Sequence, residues 1–407
     1  MKQLLEGIKV VDMTNNFAGP ATAANLADFG AEVIHIEKPV LGDDCRGFPP
    51  IYDGVSLGHC GYNRGKKSVV LDSKDPVAME VLKKMIAEAD VLTESFRPGV
   101  MARMGLSYDD VQKINPNIIY CSVSAFGQSG PYATKPGYDV IAQAFSGIMH
   151  KTGEADGPPM MVGITIGDAV GAINGFGCIM AALFHRERTG EGQHIDVSLA
   201  RGLLWANSYF ENINIGVDST RNGNHNTALT PYGLFEGRDG ALIIAAISTS
   251  LFNKLFTLMG LETLINDERC SSLPVRVENK AFINGLINDW VMSHDSVLDV
   301  IAKLDAEGIP AAKVNNHTDL LNDPHARECG WIVEVPGGNA TKTNSSYMSR
   351  GVLADFSATP GDPCHAAPAL GEHNYEVLTK YGLSIEEIDA LQEKWTVAFR
   401  AKHGSTR

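Results

Sequence analysis

The sequence predicts an α/β protein with a parallel, doubly wound sheet in a large domain and a second, smaller α/β domain. Strand-like and helix-like runs alternate as far as residue 125, and this alternation is typical of parallel strands joined by right-handed crossovers. The 407-residue length allows two or three domains at about 150 residues each. Composition changes at residues 216–226, which are rich in Asn, Gly and Thr, so we expect a linker there.

The first third of the chain supplies most strands of the expected sheet. Apolar, β-branched runs predict strands at 8–13, 31–37, 68–72, 91–96 and 117–125. Residues 19–29 are expected to form a helix, because Pro20 suits a first turn and Gly30 suits a helix end. An amphipathic pattern predicts a second helix at 78–89.

Later segments complete both domains. Helices are expected at 138–147, 168–188 and 196–211, with a turn at 188–192 between the last two. Beyond the linker, the smaller domain is indicated by a strand at 241–247 and by helices at 251–260, 277–293 and 296–307. The Pro- and Gly-rich stretch 351–368 leads into a C-terminal helical segment.

Composition and charge exclude several classes of protein. A net charge of −14 without a basic tail argues against nucleic-acid binding. No signal-peptide core is found, and the apolar stretch 168–184 is too short to span a bilayer comfortably, so we expect a soluble, cytoplasmic protein. Seven cysteines without a C-x-x-C pair are expected to be buried, reduced thiols. No histidine pair has metal-ligand spacing, so we expect no metal.

Two familiar motifs are incomplete. The turn at 13–20 lacks G-x-G-x-x-G, so Glu37 at the end of the second strand does not indicate a nicotinamide dehydrogenase. Gly-Gln-Ser-Gly at 127–130 is one residue short of a nucleophile elbow and is interpreted as a turn. Basic residues of the first third could bind a polyphosphate, although most are expected to be solvated surface side chains: Lys38, Arg46, Arg64, Lys66, Lys67, Lys74, Arg97 and Arg103.

Asp168 is the leading candidate for chemistry. It is the only charged side chain between residues 168 and 184. Gly167, Gly171 and Gly175 place bare backbone on one face of the expected helix, which suits close approach by another backbone or a ligand. A poorly solvated carboxylate is more reactive than a surface one. The alternative interpretation is a helix N-cap, because Asp is preferred at that position.

Short motifs follow one another along nearly the whole chain, at 5–12, 18–20, 28–37, 42–43, 46–47, 67–72, 94–99, 103–105, 153, 157–159, 167–168, 188–193, 308–310 and 370–373. They include Glu-Ser-Phe-Arg-Pro-Gly at 94–99 and Gly-Asp at 167–168. Each motif is weak alone, but the ordered set is specific. In this set the chain resembles the class III CoA-transferases, which include formyl-CoA transferase and carnitine CoA-transferase.

The resemblance implies a reaction in which CoA moves from an acyl-CoA donor to a carboxylic acid acceptor. Asp168 occupies the position of the family's nucleophile, which forms an aspartyl mixed anhydride and then an aspartyl-CoA thioester. Water must be excluded, because an anhydride hydrolyses. CoA is then a substrate, and no tightly bound cofactor is expected.

The resemblance also implies an architecture. It predicts a Rossmann-like large domain made from both chain ends, here 1–215 and 331–407, with the linker 216–226 leading to a small domain at 227–330. Family members form homodimers whose chains interlock as rings. No partner other than a second copy and the two substrates is expected, and neither nucleic acid nor a membrane.

Site residues carry over by position. Asn15, Asn16, Phe17 and Ala18 are expected to form the loop that faces the thioester, with Lys135 and Tyr138 near the reacting carboxylate. The adenine and phosphate end of CoA is expected to be lined by Lys38, Leu71, Lys74, Phe96, Arg103 and Met104.

Departures from the family pattern narrow the choice of substrate. Formyl-CoA transferases carry Gln at the position of Phe17, and a glycine run where this chain has Arg-Asn-Gly-Asn-His at 221–225. The chain is more similar to members that use acetyl-CoA or succinyl-CoA with a short carboxylate or dicarboxylate. One alternative is an α-methylacyl-CoA racemase, but its catalytic His is replaced here by Tyr138. A second is a non-catalytic acyl-CoA-binding protein, which would tolerate Asp168→Asn.

Overall fold

The computed structural model describes residues 3–208, 210–218 and 220–403. Within these ranges the strands are β1 Lys9–Met13, β2 Glu32–Glu37, β3 Ile51–Tyr52, β4 Val55–Ser56, β5 Lys67–Val70, β6 Val91–Glu94, β7 Ile119–Ser124, β8 Gln193–Ser198, β9 Tyr232–Gly237, β10 Gly240–Ala245, β11 Ala311–Lys313, β12 Ile332–Val335 and β13 Tyr347–Arg350. The α-helices there are α1 Ala18–Asp28, α2 Leu57–Asn63, α3 Pro76–Glu88, α4 Val100–Arg103, α5 Tyr108–Ile114, α6 Asp139–Phe145, α7 Ile148–Lys151, α8 Ile166–Thr189, α9 Leu199–Ala206, α10 Thr249–Leu258, α11 Leu273–Glu278, α12 Lys280–Met292, α13 Val297–Ala306, α14 His317–Asn322, α15 Pro324–Glu328, α16 Asn374–Lys380 and α17 Ile385–His403.

The chain divides into two compact units. The first comprises Met1–Ile148, Met161–Ser208 and Pro324–Arg407, and the second comprises Met149–Met160 and Tyr209–Asp323. The segment 216–226, expected to be a linker, lies within the second unit, and its described residues form no helix or strand beyond an isolated bridge at His225. Outside the described residues lie residues 1–2 of the large domain, residue 209 of the helix expected at 196–211, residue 219 of the linker and residues 404–407 of the return segment.

A six-stranded parallel sheet forms the centre of the first unit, in the order β5-β2-β1-β6-β7-β8. Parallel strands are usually covered on both faces, and successive residues of β1 therefore enter different hydrophobic cores. Val11 belongs to the core beneath α3 and α5, whereas Val10 belongs to the core beneath α1, α8 and α9. The predicted fold class, an α/β protein with a parallel sheet, is confirmed.

Residues from the chain's C-terminal part complete the first of these cores. The Ser68 N–H donates to Nδ1 of His373 at 3.2 Å, and the His373 N–H donates to the Ser68 carbonyl at 3.0 Å. The Val70 N–H donates to Oδ1 of Asn374 at 2.8 Å. Helix α17 contributes Trp395, which is 4% exposed. The edge strand β5 is therefore held by residues about 300 positions later in the sequence.

Glycines bring α8 close to its neighbours. A Cβ added at Gly175 would lie 2.7 Å from Oγ1 of Thr22 in α1, and one at Gly171 would collide with the Leu199 side chain. At Gly167 an added Cβ would lie 2.9 Å from Oδ1 of Asp139. Close approach at these three glycines was predicted correctly, but side chains make the contacts, not another backbone or a ligand.

Three sequence-based predictions need correction. Residues 193–198 form the edge strand β8, paired with β7, so the helix expected at 196–211 begins only at Leu199. Ser198 marks that boundary, because its Oγ accepts the Arg201 N–H at 3.3 Å. The helix expected at 277–293 is interrupted at Asn279 between α11 and α12. The cysteines are not all buried, since three are exposed: Cys178, Cys329 and Cys364.

The second unit contains the antiparallel sheet β11-β10-β9, covered by α10, α12 and α13. Its core includes Phe235 from the sheet and Phe252 and Phe256 from α10, whose rings stack with centroids 4.2 Å apart. The second unit is therefore a smaller α/β domain, as we predicted from the sequence.

Helix α8 has 24 residues and is the one helix of the described ranges with the length and apolar composition to cross a membrane. It is longer than the stretch 168–184, because it continues through charged residues up to Thr189. The core helix of a soluble protein can meet the same criterion. The buried residues of α8 pack against α1 and α9 within the first unit.

Candidate active site

The carboxyl ends of four neighbouring strands, β5, β2, β1 and β6, meet at one edge of the large sheet. The loop 14–17 follows β1, Lys38 follows β2, Leu71 and Lys74 follow β5, and Phe96 follows β6. Parallel strands place their carboxyl ends on the same side, and ligands of α/β sheets bind at that edge. The predicted CoA-binding residues that follow these strands are therefore aligned along one edge.

The loop after β1 is held at both sides by hydrogen bonds. The Asn15 N–H donates to Oγ of Ser95 at 2.8 Å, and the Asn16 N–H donates to Oδ1 of Asp43 at 3.0 Å. The Asn15 side chain also exchanges hydrogen bonds with Asp44 at 2.7 and 2.9 Å. Asn16 has φ of 72°, in the left-handed region that Asn tolerates better than most residues. The loop is consequently fixed in an uncommon backbone conformation.

A buried ionic network supports this loop. One oxygen of Asp12 lies 2.8 Å from Nζ of Lys66 and 2.9 Å from Nδ1 of His35. Burial favours a neutral Asp12, but the charges of Lys66 and His35 prevail and hold its pKa far below the usual range. Burial likewise opposes charge on His35, but Asp12 prevails and raises the His35 pKa to about 9. His35 Nε2 lies 3.6 Å from Asp43, which binds the loop.

Asp168 lies in the first turn of α8, and a neighbouring carboxylate makes the hydrogen bonds at this helix terminus. The N-cap residue is Thr165, whose side chain makes no capping hydrogen bond. Instead, Oδ1 of Asp139 accepts the Gly167 N–H at 2.6 Å and the Asp168 N–H at 3.3 Å. The capping interpretation of Asp168 is therefore wrong. Within the described ranges, no group donates a hydrogen bond to the Asp168 carboxylate.

The electrostatic environment of Asp168 is unusual for a carboxylate. Burial raises the pKa of Asp168 to about 7, and the charge of Asp139 adds to the rise. Both effects disfavour the ionised form, so the carboxylate that does form is poorly stabilised and correspondingly reactive. This environment suits a nucleophile.

A cavity of about 160 Å³ opens beside Asp168. Ser95 and Arg97 are among its lining residues, and Nζ of Lys135 lies 3.6 Å from the centroid of the Tyr132 ring. Eight of the predicted site residues line this cavity: Asn15, Asn16, Phe17, Ala18, Phe96, Lys135, Tyr138 and Asp168.

The other predicted CoA-binding residues lie outside this cavity: Lys38, Leu71, Lys74, Arg103 and Met104. Lys38 forms an ion pair with Asp44, which in turn binds Asn15 of the loop. Leu71 and Met104 pack against the hydrophobic core, whereas the remaining two side chains are exposed.

Several basic residues of the first third form buried or partly buried ion pairs, so for these the interpretation as solvated surface residues is wrong. Arg46 binds both oxygens of Glu37 at 2.7 and 2.6 Å. Arg64 binds both oxygens of Asp28 at 2.9 and 2.6 Å. Across the described ranges, the cations of this set without a carboxylate within 4.0 Å are Lys74, Arg97 and Arg103. These three remain available to an anionic ligand.

A second cavity, of about 180 Å³, shares Phe17 and Asp168 with the first. Tyr62 and Arg350 also line it. The rings of Phe17 and Tyr62 have centroids 3.9 Å apart, and Cζ of Arg350 lies 4.3 Å from the Tyr62 centroid. Asp168 therefore lies where a polar cavity along the sheet edge meets a second cavity, which is lined by the two arginines Arg64 and Arg350.

The sequence analysis did not identify Asp139, Tyr62 or Arg350. Asp139 stands beside Tyr138 at the start of a predicted helix, and that position was the available signal. Tyr62 lies in α2, a helix too short to be predicted from periodicity. Arg350 ends β13 in the return segment, and no local pattern connects it with a nucleophile far earlier in the chain.

One cluster offers metal-ligating atoms. Asp43, Cys45 and His59 are buried, and their ligand atoms lie within 4.8 Å of one another. Protein groups already use several of these atoms, since Asp43 accepts the Asn16 and Cys45 N–H groups and His59 Nδ1 lies 3.1 Å from Nδ2 of Asn63. Burial also raises the pKa of the Cys45 thiol, which opposes the thiolate that a metal needs.

Comparison with known proteins identifies the family of this chain. The chain matches the family CoA-transferase family III over residues 5–374. It is 34% identical to succinate–glutarate CoA-transferase of Agrobacterium fabrum, covering 93% of this chain and 96% of the relative. It is 36% identical to acetyl-CoA:oxalate CoA-transferase of Acetobacter aceti, covering 83% of this chain and 88% of the relative.

A solved structure shows the same fold. The CaiB/BaiF family protein from Brucella suis superimposes with a TM-score of 0.82 at 33% identity, covering 94% of this chain and all of the other. The family match, the ordered motifs and the position of Asp168 at the edge of the large sheet point to one conclusion. The chain belongs to CoA-transferase family III and is a class III CoA-transferase.

Proposed function

We propose that the protein moves CoA from an acyl-CoA donor to a short carboxylic acid through covalent intermediates on Asp168. The observation that carries this proposal is the poorly solvated Asp168 carboxylate, which lines two cavities at once. The named substrates of similar proteins, succinate with glutarate and acetyl-CoA with oxalate, support acetyl-CoA or succinyl-CoA as donor and a short acid as acceptor.

Four attacks at carbonyl carbon complete the exchange. A carboxylate oxygen of Asp168 attacks the thioester, the C–S bond breaks, and an aspartyl mixed anhydride and CoA thiolate form. The thiolate attacks the aspartyl carbonyl, which releases the donor's acid and leaves an aspartyl-CoA thioester. The acceptor carboxylate attacks the aspartyl carbonyl of that thioester, the C–S bond breaks, and a second mixed anhydride, between Asp168 and the acceptor, forms with release of the thiolate. The thiolate then attacks the acceptor's acyl carbon, which regenerates Asp168 without net proton transfer.

Phosphate recognition is assigned to the sheet edge. Lys74, Arg97 and Arg103 follow strands of this edge and have no carboxylate partner in the described ranges, and polyphosphates bind such groups through charge-assisted hydrogen bonds. We assign the loop 15–18 to the thioester, and the adenine end to the side chains near β2, β5 and β6, including Lys38, Leu71, Phe96 and Met104. Lys135 and Tyr138 are assigned to the reacting carboxylate. CoA is then a substrate rather than a resident cofactor, and the reaction suits the cytoplasm.

A homodimer is part of the proposal. Several apolar side chains on α8 and α9 are strongly exposed, among them Ile173 at 52%, Phe184 at 64% and Trp205 at 87%. Monomeric proteins rarely expose so many large apolar side chains on adjacent helices. A second copy covering these helices would remove that surface from water. The return of residues 331–407 to the large domain is compatible with interlocked chains.

A matrix of thioesters and acids tests the function directly. Acetyl-CoA and succinyl-CoA are each incubated with oxalate, malonate, succinate and glutarate, and new thioesters are identified by mass spectrometry. Hydroxylamine added to protein and donor should leave a hydroxamate on Asp168, which peptide mapping locates. Asp168→Asn should form neither product nor hydroxamate.

Two controls distinguish CoA transfer from the two alternatives, a racemase and a non-catalytic binding protein. A racemase would exchange the α-proton of a chiral 2-methylacyl-CoA in D₂O, and we expect no exchange. A non-catalytic binding protein would bind CoA equally well before and after the Asp168→Asn substitution and would yield no new thioester. New thioesters that persist in the Asn variant would contradict covalent catalysis by Asp168.

A further inference from the structure

We propose that the cavity lined by Phe17, Tyr62, Asp168 and Arg350 is the binding site for the acid substrate, and that Arg350 binds the carboxylate at the acid's far end. This inference rests on the proposed CoA-transferase function and explains how the site would select a dicarboxylic acid over a monocarboxylic acid. It also assigns a specificity-determining residue that no sequence motif indicates.

The two cavities differ in the chemistry of their linings, and each suits a different substrate. The first follows the carboxyl ends of the strands and contains Asn15, Ser95, Arg97 and Lys135, which suits the polar pantetheine and phosphate portions of CoA. The second has apolar walls from residues such as Ala24, Ala172 and Leu353. A short methylene chain fits such walls, and CoA phosphates do not.

Arg350 is the cation suited to a carboxylate in this second cavity. Its neighbour Arg64 also lines the cavity, but both oxygens of Asp28 already engage Arg64. For Arg350, the described part of the chain supplies no carboxylate within 4.0 Å. One of its N–H groups donates to the Tyr62 hydroxyl at 3.1 Å, which leaves other N–H groups for a ligand. A guanidinium can then bind a carboxylate through two parallel hydrogen bonds.

The Arg350 side chain is held in place for this role. Its guanidinium stacks on the Tyr62 ring, which packs against Phe17, a residue shared by both cavities. Its carbonyl accepts a hydrogen bond from Nη1 of Arg64 at 2.6 Å, which fixes the end of β13. Preorganisation of this kind lowers the entropy that binding must overcome.

The second cavity suits a ligand with a carboxylate at each end. Asp168 and Arg350 line the same cavity, one as the nucleophile and the other as the cation. A dicarboxylic acid can place one carboxylate at Asp168 for reaction and the other at Arg350. A monocarboxylic acid of equal length would leave Arg350 without its partner, so the cavity should discriminate between the two acids.

The test compares dicarboxylates of two to five carbons with the monocarboxylates of equal length, for example glutarate with pentanoate. Arg350→Gln should lower kcat/KM for the preferred dicarboxylate by about 10- to 100-fold, as expected for one lost charge-assisted interaction, and should lower it much less for the matched monocarboxylate. Arg350→Lys should retain part of the preference, because it keeps the charge without the two-pronged geometry. Tyr62→Phe should raise KM for the dicarboxylate more than it lowers kcat.

Arg327→Gln is the matched control, since it removes the same charge from an exposed position on α15 outside both cavities. Circular dichroism and thermal unfolding should show that all four variants are folded. Arg327→Gln should keep the wild-type ratio of dicarboxylate to monocarboxylate activity. A wild-type protein that favours neither acid, or an Arg350→Gln variant that keeps the wild-type preference, would overturn the acid-site assignment.

Exchange of isotopically labelled CoA into acetyl-CoA and succinyl-CoA tests the CoA-transferase function separately from the acid-site assignment. This half-reaction needs Asp168 and the CoA site but no acceptor acid. A wild-type protein that incorporates label into neither thioester would overturn the proposed function itself. Label incorporation into either thioester together with an unchanged acid preference in Arg350→Gln would overturn the acid site alone.

Discussion

Oδ1 of Asp139 accepts the backbone N–H of Gly167 at 2.6 Å, although 28 residues separate the two in sequence. The same oxygen lies 3.3 Å from the backbone nitrogen of Asp168. One carboxylate thus satisfies the start of α8 and, by its charge, makes the ionisation of the adjacent Asp168 less favourable. Asp139 is therefore a positioning residue that, after burial, also contributes to the raised pKa of the proposed nucleophile.

Asp139→Asn should shift the acidic limb of the pH–rate profile to lower pH. The amide oxygen can still accept the N–H groups, but the negative charge that contributes to the raised Asp168 pKa is removed. Steady-state rates between pH 5 and 9 measure the shift. Asp139→Ala is the structural comparison, because it loses the hydrogen bonds and should lower the free energy of unfolding by about 0.5–2 kcal/mol. An unshifted profile in the Asn variant would contradict the electrostatic role.

Asp168→Asn should reduce the rate of CoA transfer by at least about 10⁴-fold, because the nucleophile is lost. It should also stabilise the protein, by an amount that grows as the pH rises from about 4 to about 7. The folded-state pKa of about 7 exceeds the usual value of 3.8, so the proton on Asp168 contributes stability at low pH that disappears as the pH rises through 7. Thermal unfolding at pH 5 and pH 8 should show a larger advantage of the variant at pH 8. An equal advantage at both values would refute the raised pKa.

Arg103→Ala should weaken CoA binding by about 10- to 100-fold, because an exposed cation without a carboxylate partner can donate charge-assisted hydrogen bonds to phosphate. Isothermal titration calorimetry with CoA measures the loss. The difference between the variant and the wild type should shrink at higher salt. Arg327→Ala serves as the control and should bind CoA normally. Unchanged affinity in Arg103→Ala would remove this residue from the CoA site.

Lys66→Met should lower the free energy of unfolding by about 3–5 kcal/mol, because Asp12 would lose one of two cationic partners inside the protein. Chemical denaturation measures the change. Lys67→Met is the matched control, since Lys67 forms its ion pairs with Glu32 and Glu376 while about one-third exposed. Exposed pairs of this kind contribute at most about 1 kcal/mol. Similar losses in the two variants would contradict the importance of burial.

The proposed homodimer should exchange subunits only as fast as it unfolds, because interlocked chains cannot separate while folded. Tagged and untagged protein are mixed at nanomolar concentration, and mixed dimers are captured over several days. Little exchange is expected at ambient temperature, with faster exchange after brief partial denaturation. Mixed dimers within minutes, from protein that remains folded, would rule out interlocking.

Local sequence patterns predicted the strands that form the centre of the sheet. β1, β2, β6 and β7 are apolar runs buried on both faces, so their sequences carry a strong signal. The second half of the edge strand β8 was predicted as the start of a helix, because half-exposed strands such as Gln193–Ser198 have weaker apolar patterns. Pairing with β7 determines its conformation, and that pairing joins residues more than 70 positions apart.

The residues of the candidate site also fall into two groups, those that the sequence identified and those that it did not. Asp168 and the loop 15–18 were identified from contiguous residues and from resemblance. Asp139, Tyr62 and Arg350 owe their positions to contacts between distant segments, which a local pattern does not encode. The stacking of Arg350 on Tyr62, for example, spans 288 residues.

The pairing of Ser68 with His373 has a consequence for biosynthesis. A ribosome releases the N-terminal strands early, but the residues that cover β5 emerge only after the whole second unit has been made. Until then, one hydrophobic face of the nascent sheet has no α16 or α17 against it. Such an exposed surface is a target for chaperones and a starting point for aggregation. Production of this enzyme should therefore depend on chaperone supply and on translation rate more strongly than for a protein whose domains are each encoded by one continuous segment.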